Sequence, residues 1–392
     1  MSELINIHDN RATIRWKLLT GASALALTAY VSSTAMARAE DSGQPQVWIE
    51  LGGQLDRNGN WEEPYVPSFA AGISALGFTP PASLEHAPQY SFDEDAKISL
   101  TPDGSNWAFS AAIRYGRGNH NRHLHQEGGD VQNTAHFFTT SKKYQIATAV
   151  NFADSRIADS ETHAIVDFQA GKDVGLGMFG GRGSSTLSVG VRIAQFTSHA
   201  SSEIKSDQDV GFKDFVTSAP IMVTHLARHS HYRSFAAEFA ANRSFHGVGP
   251  SLSWNGSATI AGNTEDAALS LDWGVNAAFL FGRQKTKTRH QESSAYKTRN
   301  LFVVNAHDYG NVVHSTSVAP PPQSRMRSIT VPNAGGFAGI SFHQGDAKIS
   351  FGYRADVFFG AIDGGIDVRK SENRSFMGPY ASISIGVGGS SN

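Results

Sequence analysis

From Val47 onward, apolar and polar residues alternate with period two. Val47, Ile49, Leu51 and Leu55 fall on one face, and Glu50, Gly52, Gln54 and Asp56 on the other, the signature of a strand with one polar side. Trp107, Phe109, Ala111, Ile113 and Tyr115 stand in the same way against Ser110, Arg114 and Gly116. Ala164, Val166, Phe168 and Ala170 oppose Asp167 and Gln169, and Leu187, Val189, Val191 and Ile193 oppose Ser188, Gly190 and Arg192. Further on, Phe235, Ala237 and Phe239 oppose Glu238; Val248, Pro250, Leu252 and Trp254 oppose Ser251 and Ser253; Leu271 to Phe281 opposes Asp272, Gly274 and Asn276. Ile349 to Phe359 alternates with Ser350, Gly352, Arg354 and Asp356, and Ala381 to Val387 closes the chain.

Weaker runs at 96–100 and 336–342 bring the total to about eleven segments. A single-chain bacterial barrel takes an even number, so about twelve strands are expected, the missing one between residues 284 and 325. The connections alternate in length. Short turns are read at Pro102–Gly104, Phe245–Gly247 and Gln344–Asp346, and long outer loops at 56–94, 119–160 and 199–229. The loop from Asp56 to Glu94 is rich in aromatic residues and proline, and Pro320, Pro321 and Pro322 mark a stretch unsuited to a strand interior.

Alternation alone fits two architectures. In a soluble sandwich the polar face of each strand meets water. In a bilayer, strands span only as a closed cylinder with every backbone group paired, so alternate side chains face lipid and lumen. The polar faces here carry Gly, Ser and Ala more than Lys and Glu, and Trp and Phe stand at strand ends as an aromatic girdle would. The reading is therefore an all-β antiparallel transmembrane barrel with long outer loops. Its pore-lining candidates are Glu50, Arg114, Asp167, Arg192, Glu238, Asp272, Arg354 and Asp356. Charges of both signs in a lumen filter solutes by charge and size, or pair across a narrow barrel and plug it.

The N-terminus supports export. Arg11, Arg15 and Lys17 precede the apolar stretch Leu18–Val31, and Ala35, Met36, Ala37, Arg38 and Ala39 offer overlapping A-x-A cleavage signals, so residues 1–39 read as a cleavable signal peptide and 40–392 as the barrel. No later stretch reaches the roughly 20 apolar residues of a transmembrane helix. The formal net charge is −2 and only 17% of residues are charged, which disfavours nucleic-acid binding. The chain has no cysteine, so disulfides and Cys-ligated zinc are excluded.

Several segments look like a known group. His163-Ala-Ile-Val-Asp-Phe-Gln-Ala-Gly-Lys-Asp-Val-Gly-Leu-Gly177, Phe245-His-Gly-Val-Gly-Pro-Ser-Leu252, Ala278-Phe-Leu-Phe-Gly-Arg-Gln284 and Gly378-Pro-Tyr380 resemble the Legionella-type major outer-membrane protein family, over residues 47–388. The resemblance implies a pore-forming barrel of the bacterial outer membrane passing small hydrophilic solutes or ions. The expected partners are membrane lipid, the barrel assembly machinery, periplasmic chaperones, small solutes and a possible second copy of the chain. One departure is the C-terminus, where Ile385, Gly386 and Val387 run into Gly388-Gly-Ser-Ser-Asn392 instead of ending on the aromatic residue common in such barrels.

Other motifs have plainer readings. Gly175, Gly177 and Gly180 satisfy G-x-G-x-x-G, but no helix follows to cradle a phosphate, so a glycine-rich turn is expected. His120, His123 and His125, with Glu127 and His136, form a histidine tract in an expected outer loop; such a tract can bind zinc or copper, and solvated loop histidines are the other reading. His163, His246 and His343 could serve a hydrolase, but no motif singles out a nucleophile. No enzyme, cofactor or metal is expected.

Overall fold

The computed structural model describes residues 46–58, 90–102, 105–128, 145–175, 183–218, 223–263, 267–300 and 312–387. The expected signal peptide 1–39, the segment 59–89, Asp103 and Gly104 of the expected turn, Gly177, Gly180, His136 and the last five residues lie outside that set. Every regular element among the described residues is a strand: β1 Gln46–Asn58, β2 Tyr90–Thr101, β3 Trp107–Gly128, β4 Gln145–Asp173, β5 Gly183–Ser218, β6 Val223–Asn263, β7 Ala267–Asn300, β8 Val312–Val318, β9 Gln323–Gln344, β10 Ala347–Asp363 and β11 Ser371–Val387.

Neighbouring strands pair antiparallel from β1 through β7, then β7 with β9, β9 with β10, β10 with β11, and β11 back to β1. The result is a closed ten-stranded barrel, above which residues 118–128 of β3 pair with β4 alone among the described residues. β8 adds no stave. It pairs with the upper part of β7, Glu292 opposite Val318, just beyond where β9 begins with Gln323 opposite Thr288. β8 and β9 are thus one stave broken at Pro320, Pro321 and Pro322, which have no N–H for the ladder.

Ten strands replace the expected twelve, for a reason visible in β6. The segments 235–242 and 248–254 belong to one 41-residue strand, and Phe245–Gly247 is its interior, not a turn. From Ala237 to Ser253 odd-numbered residues face inward: Ala237, Ala241, Phe245, Ser251 and Ser253 are buried, while Glu238, Asn242, His246, Val248 and Leu252 are exposed. What changes along the strand is chemistry. At the lower end the outward residues are apolar; at the upper end the inward ones are. β5 makes the same switch, with outward Leu187, Val189, Val191 and Ile193 giving way to Gln195, Thr197 and His199, while Ala194, Phe196 and Ile204 fill the inside.

The stretches at 119–160 and 199–229 are accordingly not long loops. They are mostly strand: β3 runs to Gly128, β4 starts at Gln145, and only 219–222 separate β5 from β6. Where both faces of a strand leave the apolar belt, period-two hydrophobicity fades and the sequence reads as loop. The turn at the other end is as expected, Gly345 with a φ of 56° and Asp346 joining β9 to β10; a positive φ favours glycine there.

Candidate functional site

The outer wall carries a continuous belt of exposed apolar side chains, among them Leu51, Phe109, Phe168, Val189, Leu252, Val275, Phe351 and Ile383. Tryptophans gather at the turn end, where Trp254 and Trp273 meet edge-on at 5.0 Å and the Trp254 Nε1 donates to Ser185 Oγ at 2.6 Å. Phe279, Phe281 and Phe359 stand at the upper end. Above them the outward positions of β7 turn basic, with Arg283, Lys285, Lys287 and Arg289.

Inside, three layers follow one another from the turn end upward. Nearest the turns the lining is small and hydroxylic, with Ser188, Ser270, Ser341, Ser350, Ser382 and Ser384 buried. A charged layer comes next. Arg192 holds Asp167 with two parallel bonds, Nε to Oδ1 at 2.7 Å and Nη2 to Oδ2 at 2.9 Å, and its Nη1 donates to the side-chain oxygens of Asn276, at 2.7 Å, and Asn333. Arg114 Nη2 donates to Asp356 Oδ2 at 2.7 Å. Arg354 lies 3.8 Å from Asp95 and covers the Tyr380 ring at 4.9 Å. Lower down, Lys348 pairs with Asp272 at 2.6 Å.

The third layer is apolar. Phe196, Phe245, Phe358 and Phe376 have no exposed surface and pack with Leu280, Val331 and Ile362. Rings from strands on opposite sides of the barrel touch: Phe196 of β5 meets Phe358 of β10 edge-on at 4.7 Å and Phe376 of β11 at 5.5 Å. The inside of the barrel is a core at this level.

A cap lies over that core. β10 bulges between Phe358 and Ile362, with Gly360 at a φ of 65°, and the connection from Gly364 to Lys370 reaches across toward β6 and β7. Arg325 clamps it, donating to Gly365 O at 2.6 Å, Ile366 O at 2.8 Å and Asp363 Oδ2 at 2.8 Å. Arg243 of β6 donates to Gly364 O at 3.0 Å, and Thr288 of β7 to Ile366 O at 2.8 Å. Carbonyls folded into a lumen need such donors, because an unpaired buried carbonyl costs about 1–3 kcal/mol.

Seven of the eight residues singled out for the lumen face inward: Glu50, Arg114, Asp167, Arg192, Asp272, Arg354 and Asp356. Glu238 does not. It is exposed on the outer face of β6 above the belt, accepting from Gln291 Nε2 at 2.8 Å, because the inward set of β6 is odd-numbered and the run 235–239 carries its apolar residues inside. The histidine tract is part of β3, where His120 points to one face and His123 and His125 to the other, so the three do not converge. His163 is inside, His246 outside, and His343 sits beside the β9–β10 turn; no common site unites them.

Alternation read one strand further would have shown what the sequence reading missed. Beyond Asp56, already on the polar face of β1, Ser91, Asp93 and Asp95 alternate with exposed Tyr90, Phe92 and Glu94 on β2, in a stretch that reads as loop because its charges obscure the period. In the barrel, Asp56, Asp93 and His163 bring three donor atoms within 4.8 Å of one another, and all three residues are buried. His163 Nε2 lies 2.7 Å from Asp93 Oδ2 and 3.8 Å from Asp56 Oδ2, and its ring packs on Phe376 at 3.9 Å.

No family model and no curated protein matches the chain. Among solved structures it is similar to a mutant of the monoaromatic hydrocarbon channel TodX, with 9% identity, 88% of this chain and 91% of that one covered, and a TM-score of 0.19. The Ralstonia pickettii toluene transporter TbuX gives 9% identity, 90% of each chain and 0.18. The transport unit of the Escherichia coli autotransporter AIDA-I gives 8%, 89% and 92%, and 0.20. Likenesses this slight carry no functional argument, and the barrel's own surfaces must supply it.

Proposed function

We propose that the protein is an integral outer-membrane β-barrel with an occluded lumen, which anchors an extended, water-facing wall of strands for a structural or surface-binding role. The observation that carries the membrane part is the exposed apolar belt around a closed cylinder with a polar interior. A soluble protein rarely exposes a contiguous apolar patch beyond a few hundred Å², whereas tilted strands of about ten residues with outward apolar side chains match a hydrocarbon band about 25 Å tall. Export through cleavage near residues 37–39 and insertion by periplasmic chaperones and the assembly machinery are part of the same proposal.

The occlusion rests on the Phe196–Phe358 contact across the lumen and on the cap held by Arg325. A binding role rests on the wall itself: β4 to β7 rise well above the belt, and their outward faces there carry Arg156, His199, Glu203, Lys205, Glu238 and Arg289. No enzyme is proposed, since the buried Asp93–His163 pair is sealed from substrate by Phe376 and its neighbours.

A second reading has one observation in its favour. The lumen below the phenylalanines is lined by serine and paired charges, and ionisable groups within a membrane span commonly mark a pathway. On that reading, which the family resemblance also suggests, the protein is porin-like and passes small hydrophilic solutes when the cap and the phenylalanine layer part. Liposome swelling separates the two. Vesicles carrying the folded barrel should swell in arabinose no faster than empty ones; swelling at porin-like rates would establish the second reading.

A further inference from the structure

We infer that the lumen holds a divalent transition-metal ion of the Zn²⁺ class, ligated by Asp56, Asp93 and His163. Charge is the first argument. Three arginines of the charged layer, Arg192, Arg114 and Arg354, pair with Asp167, Asp356 and Asp95. Asp56 and Asp93, both with no exposed surface, are in excess of these cations, share only the field of Arg114, and stand beside a neutral-capable imidazole. Two buried carboxylates without cations of their own are strongly disfavoured, and one divalent ion balances them.

The second argument is unmet valence. Gln54 Oε1 is buried with no hydrogen-bond partner, the Gln54 amide lies against the Asp56 carboxylate, and the Asp56 and Asp93 carboxylates face each other in a contact that needs either a shared proton or a cation. A native interior leaves few such atoms, and one explanation of each is an ion. Tetrahedral zinc bound at about 2.0–2.2 Å holds its ligand atoms about 3.4 Å apart. The separations here, 2.7 and 3.8 Å from His163 Nε2 to the two carboxylates, bracket that value. Two carboxylates and an imidazole suit a transition metal, whereas Mg²⁺ and Ca²⁺ prefer oxygen alone. Gln54 is the candidate for the fourth position.

The third argument is the space that lets these residues meet. Gly116 of β3 stands directly between Asp93 of β2 and His163 of β4 in the ladder. A Cβ on Gly116 would fall 1.9 Å from Asp93 Oδ1 and 2.3 Å from His163 Cε1. With no side chain there, the imidazole reaches across a whole strand to the carboxylate. The ion would staple β1, β2 and β4, and the inference is independent of whether the lumen conducts.

The test is metal content of the full mature barrel, refolded in detergent with Zn²⁺, washed with a chelator, and checked for folding by its heat-dependent gel mobility. The folded wild type retains stoichiometric zinc by elemental analysis, and refolding with Co²⁺ gives visible absorption. His163→Ala and Gly116→Ala lower retention at least about tenfold, while His246→Ala, on the outer wall, keeps it. Folded wild type that holds under a tenth of an equivalent and shows no cobalt absorption overturns the inference and leaves shared protons as what neutralises the pair. So does undiminished zinc in both variants. Should the variants fail to fold, the wild-type stoichiometry and cobalt spectrum decide alone.

Discussion

Arg114 is buried in the charged layer with its Nη2 on Asp356, and a buried charge is stable only while its partner is there. Arg114→Ala leaves Asp356 only its longer 3.9 Å contact to Arg192 and should cost about 3–5 kcal/mol, read as a shift in the denaturant midpoint of the barrel in vesicles. Removing both, as Arg114→Ala with Asp356→Ala, should cost less than the two single losses added together; simple additivity would show that the contact contributes nothing. Phe196 makes the opposite kind of contribution. It has no exposed surface and touches Phe245, Phe358 and Phe376, so Phe196→Ala should cost about 3–5 kcal/mol through lost burial and the cavity left behind. A loss under 1 kcal/mol would mean that the rings do not pack across the lumen in solution.

At the scale of elements, the decisive feature is the switch along β5 and β6, where outward apolar residues give way to outward polar ones without any change of face. It predicts a depth dependence. Val189→Arg, within the belt, should destabilise by about 2–4 kcal/mol, whereas Gln195→Arg, three outward positions along the same strand, should be within about 0.5 kcal/mol of neutral. Equal costs at both sites would remove the bilayer boundary from between them. The same switch sets what the sequence could reveal. Within the belt, Leu187 to Ile193 or Leu271 to Phe281 reads plainly as strand, because lipid outside and polar lumen inside enforce opposite chemistry on alternate residues. Above it, Ala241 and Phe245 point inward while Val248 and Leu252 point outward, and one continuous strand imitates two with a turn between. The pairing of Asp93 with His163 was beyond reach for another reason: it depends on a glycine gap in a third strand, and register is a property of neighbours.

For the whole molecule, the closed ladder and the proposed occlusion of the lumen have separate causes. Backbone pairing from β1 round to β11 closes the ring, which a bilayer demands. On the occluded reading the lumen is shut by side chains and by the cap, and one residue, Arg325, makes four of the cap's bonds. Arg325→Ala should expose the connection 364–370 to proteolysis in the folded, membrane-inserted protein, with cleavage mapped by mass spectrometry; resistance equal to wild type would show the cap to be held otherwise. Single-channel recording of the mature barrel in a planar bilayer addresses the occlusion itself. The folded wild type should insert and stay silent, and so should Arg114→Ala, because the phenylalanine layer and the cap remain in place. Reproducible conductance steps from the wild type would contradict an occluded lumen and establish an open pore.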